Sequence, residues 1–159
     1  MRLSILNYGF DLGSEVPKYA VKEDDDLLKL AEGIVTKQSF GRGALIVSEV
    51  MHTGLTNFNN RKYMEKGMDN SVVSFYHPHP TPFLMHHDSG GDFGPPVVAV
   101  GTNITASFIK RRIETATGPA SGYVKVATFI PEAAVVGGQN AIELLKSRRL
   151  FSLSIGARV

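Results

Sequence analysis

Two groups of residues in this chain have the chemistry needed for acyl transfer. His86 and His87 stand directly before Asp88, and Ser154 lies far downstream, two residues before Gly156. A serine hydroxyl is a weak nucleophile until a base within hydrogen-bond distance takes its proton. A histidine and a serine that meet in the fold therefore favour nucleophilic catalysis at a carbonyl carbon.

The elements predicted around these residues would hold them rigidly. His87 closes a segment, residues 83–87, that re-enters the body of the protein after a proline-rich connection. Ser154 lies on an apolar strand predicted over residues 150–155, directly after a helix. Side chains on regular elements are held more precisely than side chains on loops, which is what a catalytic pair requires.

The wider pattern predicts an α+β fold. Strands are predicted at residues 44–51, 72–76, 97–109 and 123–130, and helices at residues 61–68 and 140–149. The 97–109 segment fits either two strands or one strand bent at Gly101, and Asn140 can cap the last helix. We expect a mostly antiparallel β-barrel or sandwich with two or three helices.

The length sets the number of domains. A chain of 159 residues has room for one domain with one sizeable core. Residues 1–40 are interpreted as an N-terminal lead-in, in which the acidic run at residues 23–26 is typical of a helix N-terminus. Residues 41–159 are interpreted as the domain proper.

Composition excludes several classes of site. The chain has no cysteine, which rules out disulfides, a cysteine nucleophile and thiolate metal ligands. The net charge is +2, and the basic residues form short separate clusters at 110–112 and 146–149, so nucleic-acid binding is not indicated. No apolar run approaches the roughly 20 residues of a membrane span, and we expect neither a secretion signal nor a membrane association.

Metal binding is the main alternative for the histidines. His77, His79, His86 and His87 are crowded together, and imidazole suits zinc or nickel. The spacing is not that of the common helical zinc motif, and prolines separate the first two. We therefore expect no metal and no cofactor.

An ordered series of segments resembles a known family. The series consists of residues 82–88, a valine-rich strand containing Gly101, the 123–130 strand, a helix, and the segment around Ser154. It resembles the prohead (capsid maturation) proteases of tailed bacteriophages, which are related in fold to the herpesvirus assembly proteases. Residues 57–63 also resemble a segment of family members from large contractile-tailed phages. The resemblance covers residues from about 44 to 159, and no single motif in it is highly specific.

The resemblance implies a serine endopeptidase with a herpesvirus-protease-like fold. His87 matches the family's base, with His86 as the close competitor, and Ser154 matches its nucleophile. Glu132 is the candidate third residue, with Glu49 as the fallback. Asp88 is not assigned, because adjacent strand residues point to opposite faces.

The same resemblance implies the partners and the place of action. Substrates would be scaffold and major capsid precursor proteins, cleaved in the host cytoplasm inside the prohead or virion. We also expect the chain to form a homo-oligomer. Two alternatives remain open: a non-catalytic virion structural protein built on, or trimmed from, the same fold, and a binding barrel whose apolar edge over residues 75–82 accepts a partner strand.

Overall fold

The protein is described here by a computed structural model. It describes residues 26–56, 60–84, 98–115 and 117–147, together with the backbone of residues 3–8. The strands are β1 (Leu3–Tyr8), β2 (Gly43–Thr53), β3 (Pro82–Leu84), β4 (Ala99–Ile109), β5 (Ile113–Thr115), β6 (Gly118–Ala120), β7 (Gly122–Pro131), β8 (Val135–Val136) and β9 (Gln139–Asn140). The helices are α1 (Asp26–Lys37), α2 (Glu65–Ser71), the 3₁₀ helix (Val72–Phe75) and α3 (Ala141–Lys146).

A five-stranded sheet forms the centre of the fold. Its strand order is β1-β2-β7-β4-β3, and every neighbouring pair is antiparallel. The α+β class with mainly antiparallel strands and three α-helices is thus confirmed. In the part of the chain that the structure describes, this sheet is open between β1 and β3 rather than closed into a barrel.

Helix α1 covers one face of the sheet. Its buried residues, Leu27, Leu28, Ala31 and Val35, recur at the spacing of one helical face. They pack against residues of β2, β4 and β7, among them the fully buried Phe129. Both β1 and α1 lie within the segment interpreted as a lead-in, so that segment supplies an edge strand and part of the core.

Two clusters share the opposite face. Near one end, α3 packs against Ile46 of β2 and Ile130 of β7. Near the other end, α2 and the 3₁₀ helix pack against Val124 and Val126 of β7. Each face of the sheet is therefore buried by helices.

On this face one prediction is wrong and the bounds of another are shifted. The strand expected at residues 72–76 is the 3₁₀ helix, because its i and i+3 side chains, Val72 and Phe75, both pack on the sheet. The helix expected at residues 61–68 is α2, which begins at Glu65 and continues through Gly67. Tyr63 instead forms a bridge with Thr53 at the end of β2.

Other strand predictions agree more closely with the structure. The strands expected at residues 44–51 and 123–130 are β2 and β7. The 97–109 segment contains one long strand, β4, whose register against β7 shifts between Asn103 and Thr105 rather than at Gly101. A Cβ atom on Gly101 would lie 2.6 Å from the carbonyl oxygen of Phe129, so glycine allows the two strands to approach. The short strand β6, just before β7, pairs with β5.

Helix α3 begins where the sequence predicts. The Asn140 side chain accepts hydrogen bonds from the backbone N–H groups of Ile142 (3.0 Å) and Glu143 (3.1 Å). This is the arrangement of an N-cap, and it satisfies two donors that have no partner within the helix. The predicted cap is confirmed, and Ile142 and Leu145 lie on the buried face of the helix.

Replacing Asn140 by Ala is expected to lower the free energy of unfolding by about 1–2 kcal/mol, because the cap is lost. Its amide nitrogen also donates to the carbonyl oxygen of Glu132 at 2.7 Å, and that bond is lost as well. Urea denaturation followed by circular dichroism measures the change. Gln139→Ala, at an exposed neighbour, is the matched control; equal midpoints for the two variants would contradict the capping role.

Candidate functional site

The predicted catalytic residues divide into two groups. His86, His87 and Ser154 lie outside the described residues, as do the unassigned Asp88, Arg148 and Arg149, and the strand predicted over residues 150–155. Glu132 is described, and so are the elements from which the other segments emerge. The geometry of the site is therefore given by Glu132, by the end of β3 and by α3.

Glu132 directly follows β7, and its backbone is held on both sides. Its N–H donates to the carbonyl oxygen of Arg42 at 3.0 Å, and its carbonyl oxygen accepts the bond from Asn140. The carboxylate is 44% exposed and lies 3.6 Å from Nε of Arg42, whose side chain is 64% exposed. An ion pair this open to solvent contributes about 0–1 kcal/mol, so Arg42 does not lock the carboxylate in place.

The end of β3 lies close to Glu132. Leu84, the last residue of β3, is paired with Ala99 of β4. Thr102 of β4 is paired with Phe129 of the antiparallel strand β7. Ala99 is three residues before Thr102 and Glu132 is three residues after Phe129, so Ala99 and Glu132 lie at the same level of the sheet. Leu84 and Glu132 are therefore at the same end of the sheet, separated by two strand spacings, or about 10 Å between backbones.

Helix α3 joins these two elements. Its buried Ile142 and Leu145 belong to a cluster with Ile130 of β7, and half-buried Phe83 of β3 packs against the same cluster. Asn140, its cap, is bonded to Glu132. The strand that leads to His87, the helix that leads to Ser154 and the candidate acid thus meet at one end of the sheet.

Glu49, the fallback acid, lies elsewhere. It is paired with Lys125 of β7, and Lys125 is paired with Ser107 of β4. Ser107 is eight residues along β4 from Ala99, which is about 26 Å at the rise of a strand. Glu49 is therefore far from the end of the sheet where β3 leads toward His87.

A chain of three hydrogen-bonded polar side chains, two of them buried, was not foreseen from the sequence. Thr128 of β7 is 1% exposed and donates from Oγ1 to Oδ1 of Asn103 at 2.7 Å. Asn103, 8% exposed, donates from Nδ2 to Oγ1 of Thr81 at 2.9 Å. We call these three residues the polar chain. Each of the three stands in or beside an apolar segment of the sequence. A polar residue inside a strand predicted to be buried was the one feature of the sequence that could have pointed to these hydrogen bonds.

The far end of the sheet carries a second polar group. The hydroxyls of Thr53 and Ser121 are 3.1 Å apart, and Glu65 lies 3.0 Å from Nζ of Lys110. Hydrogen bonds from Ser121 and then Lys110 lower the pKa of Glu65. These contacts attach α2 to the ends of β4 and β7, which is a structural function.

The described histidines give no metal site. Burial lowers the pKa of His52, whose ring packs edge-on against Tyr123 with 6.5 Å between ring centroids. Within residues 26–56, 60–84, 98–115 and 117–147, no three His, Asp or Glu side chains are grouped to hold a metal ion. Across the same ranges, no helix has both the length and the apolar character of a membrane span.

Comparison with known proteins adds no relative. No protein-family model, curated protein sequence or solved structure matches the chain. The function is therefore argued from the residues and their placement.

Proposed function

We propose that this protein is a serine endopeptidase of the phage prohead protease type, with a herpesvirus-protease-like fold. Ser154 is its nucleophile, His87 its general base and Glu132 the carboxylate that orients His87. Its substrates are scaffold and major capsid precursor proteins, cleaved during head maturation, and it acts as a homo-oligomer inside the prohead.

One observation supports this proposal above the others: β3, α3 and Glu132 lie at the same end of the sheet, in or beside the apolar cluster that contains Ile130 and the buried residues of α3. Leu84 is three residues before His87, and three residues span at most about 10 Å. Chain connectivity therefore keeps His87 within reach of the end of the sheet that carries Glu132. Since α3 packs on the same end, the segment that follows it also starts there.

The proposed reaction uses these groups in two steps. His87 takes the proton of the Ser154 hydroxyl while Oγ attacks the scissile carbonyl carbon, and it then gives that proton to the leaving amine. Water next attacks the acyl-enzyme, with His87 as base again, and releases the carboxylate product with Ser154 restored. Backbone N–H groups near Gly156, or the guanidinium groups of Arg148 and Arg149, stabilise the oxyanion in both steps.

Glu132 is suited to the orienting role by its setting. Its backbone is fixed by two hydrogen bonds, whereas its carboxylate is partly exposed and only loosely paired with Arg42. A carboxylate that accepts Nδ1–H of a histidine holds the ring in the tautomer whose Nε2 can accept the serine proton. Exchanging the Arg42 contact for such a bond has a small energetic cost.

The test is labelling of the folded protein with a serine-reactive fluorophosphonate. We expect one adduct, located by mass spectrometry on Ser154, and none in the Ser154→Ala variant. Ser152→Ala, two residues away on the same predicted strand, is the matched control and should label normally. A folded wild-type protein that forms no adduct would overturn the proposal and favour a non-catalytic virion structural protein.

A further inference from the structure

Two basic segments of the chain meet at the far end of the sheet. Residues 61–66 lie there because Tyr63 forms a bridge with Thr53, the last residue of β2. Residues 110–112 lie there because they directly follow Ile109, the last residue of β4. At these points β2 and β4 both pair with the first residues of β7. The fold therefore unites two clusters that are distant in the sequence.

The side chains of these segments form a surface with an excess of positive charge. The 3.0 Å ion pair between Glu65 and Lys110 joins the two segments directly. Six exposed basic residues are found here, namely Arg61, Lys62, Lys66, Lys110, Arg111 and Arg112. Three acidic residues come from the same region, namely Glu65, Asp69 and Glu114. Six basic against three acidic side chains leave a net charge of +3, whereas the whole chain carries only +2. We call these nine side chains the basic surface.

Ion pairs within the basic surface leave much of its positive charge available to a partner. Glu114 lies 3.7 Å from Arg112, but the two side chains are 74% and 76% exposed, so this pair is weak. Across the described residues, no carboxylate forms an ion pair with Lys62, Lys66 or Arg111. Both segments thus present cations to solvent.

An exposed apolar side chain lies within the basic surface. Met64 stands between Lys62 and Lys66 and directly before Glu65, which contacts Lys110. It is 64% exposed, more than any other large hydrophobic residue in the part of the chain that the structure describes. Methionine adapts its shape to different partners and is enriched at protein interfaces. A partner bound here would gain free energy from apolar contact as well as from charge.

We propose that the basic surface binds an acidic segment of another polypeptide, with an apolar side chain of that segment placed against Met64. A nucleic acid fits less well, because its closely and regularly spaced phosphates would also lie against the three carboxylates. A polypeptide can place its acidic side chains opposite the lysines and arginines alone. This inference is independent of the proposed function, since it uses no residue of the candidate catalytic site.

The experiment measures the fluorescence anisotropy of labelled probes titrated with the full chain at low ionic strength. The first probe is a short Glu-rich peptide that contains one Leu, and the second has Ser in place of that Leu. The third is a single-stranded oligonucleotide of the same net charge. We expect the Leu peptide to bind most tightly and the oligonucleotide most weakly, with binding of the Leu peptide weakened by salt.

Two double variants test whether both segments take part. Arg111→Glu with Arg112→Glu, and Lys62→Glu with Lys66→Glu, should each weaken binding of the Leu peptide by about 10-fold or more. Met64→Ser should weaken binding of the Leu peptide by about 3- to 10-fold and leave binding of the Ser peptide unchanged. Circular dichroism checks that each variant is folded.

The matched control is Lys29→Glu with Lys37→Glu, which changes the net charge equally at two exposed positions of α1. It should bind the Leu peptide as the wild type does. Equal weakening in this control, or weakening by only one of the two double variants, would overturn the joint surface. Failure of the Leu peptide to bind, or tighter binding of the oligonucleotide, would overturn the acidic polypeptide as its partner.

Discussion

Replacing Ser154 by Ala is expected to slow cleavage of the purified major capsid precursor by about 1000-fold or more, because no other group supplies the acyl-forming oxygen. His87→Ala should cause a loss of similar size, since the serine hydroxyl then keeps its proton. The double variant should be no slower than either single variant, because the two residues act as one unit. Single-turnover cleavage rates, measured by mass spectrometry of the products, give these values.

His86→Ala and Ser152→Ala are the controls for this experiment. Each is a near neighbour of a proposed catalytic residue and of the same type, so both should retain cleavage within a few-fold. If His86→Ala abolishes cleavage and His87→Ala does not, the base is His86. If Ser154→Ala continues to process the precursor, the protease assignment is wrong.

Phe129→Ala is expected to lower the free energy of unfolding by about 3–5 kcal/mol, which is the loss typical of a large aromatic side chain in a core. Phe129 is 1% exposed, lies on the central strand β7 and contacts helix α1. Its ring also meets Phe40 edge-on, with 5.3 Å between ring centroids. Because domains of this size are stable by only about 5–15 kcal/mol, the variant should be largely unfolded in mild denaturant.

Chemical denaturation measures this loss directly. The control is Val135→Ala, since Val135 is 55% exposed and its truncation should change stability by less than about 0.5 kcal/mol. A loss below about 1 kcal/mol in Phe129→Ala would show that the α1 cluster is not the main core. The expected loss of stability is independent of catalysis, so it tests the fold alone.

The two experiments address different parts of the molecule. Phe129 lies on the α1 face of the sheet, whereas Glu132, Phe83 and α3 lie around its opposite face at one end. A variant that cleaves slowly but unfolds at the wild-type denaturant concentration points to the candidate site. A variant that unfolds at a lower denaturant concentration but cleaves normally while folded points to the core.

The sequence by itself determined the parts whose signals are local. Strands β2 and β7 were predicted because β-branched residues bounded by glycine or proline have one favourable conformation. Helix α3 was predicted because Asn140 can cap it and Ile142 and Leu145 share one helical face. The candidate residues His87, Ser154 and Glu132 were assigned from the sequence through its resemblance to the prohead proteases, and their roles stay predictions.

Tertiary structure alone decided the rest, because it depends on contacts between residues distant in sequence. Val72 to Phe75 have strand propensity, yet they form a 3₁₀ helix, because their apolar side chains pack on the face of the sheet and their backbone is not paired with one of its strands. Asn103 and Thr128 are 25 residues apart, and only the β4–β7 register brings them together. The same register, continued through β3, brings Leu84 near Glu132, which no local pattern specifies. Local propensity determines most of the secondary-structure elements, but strand pairing and burial determine which polar groups come into contact.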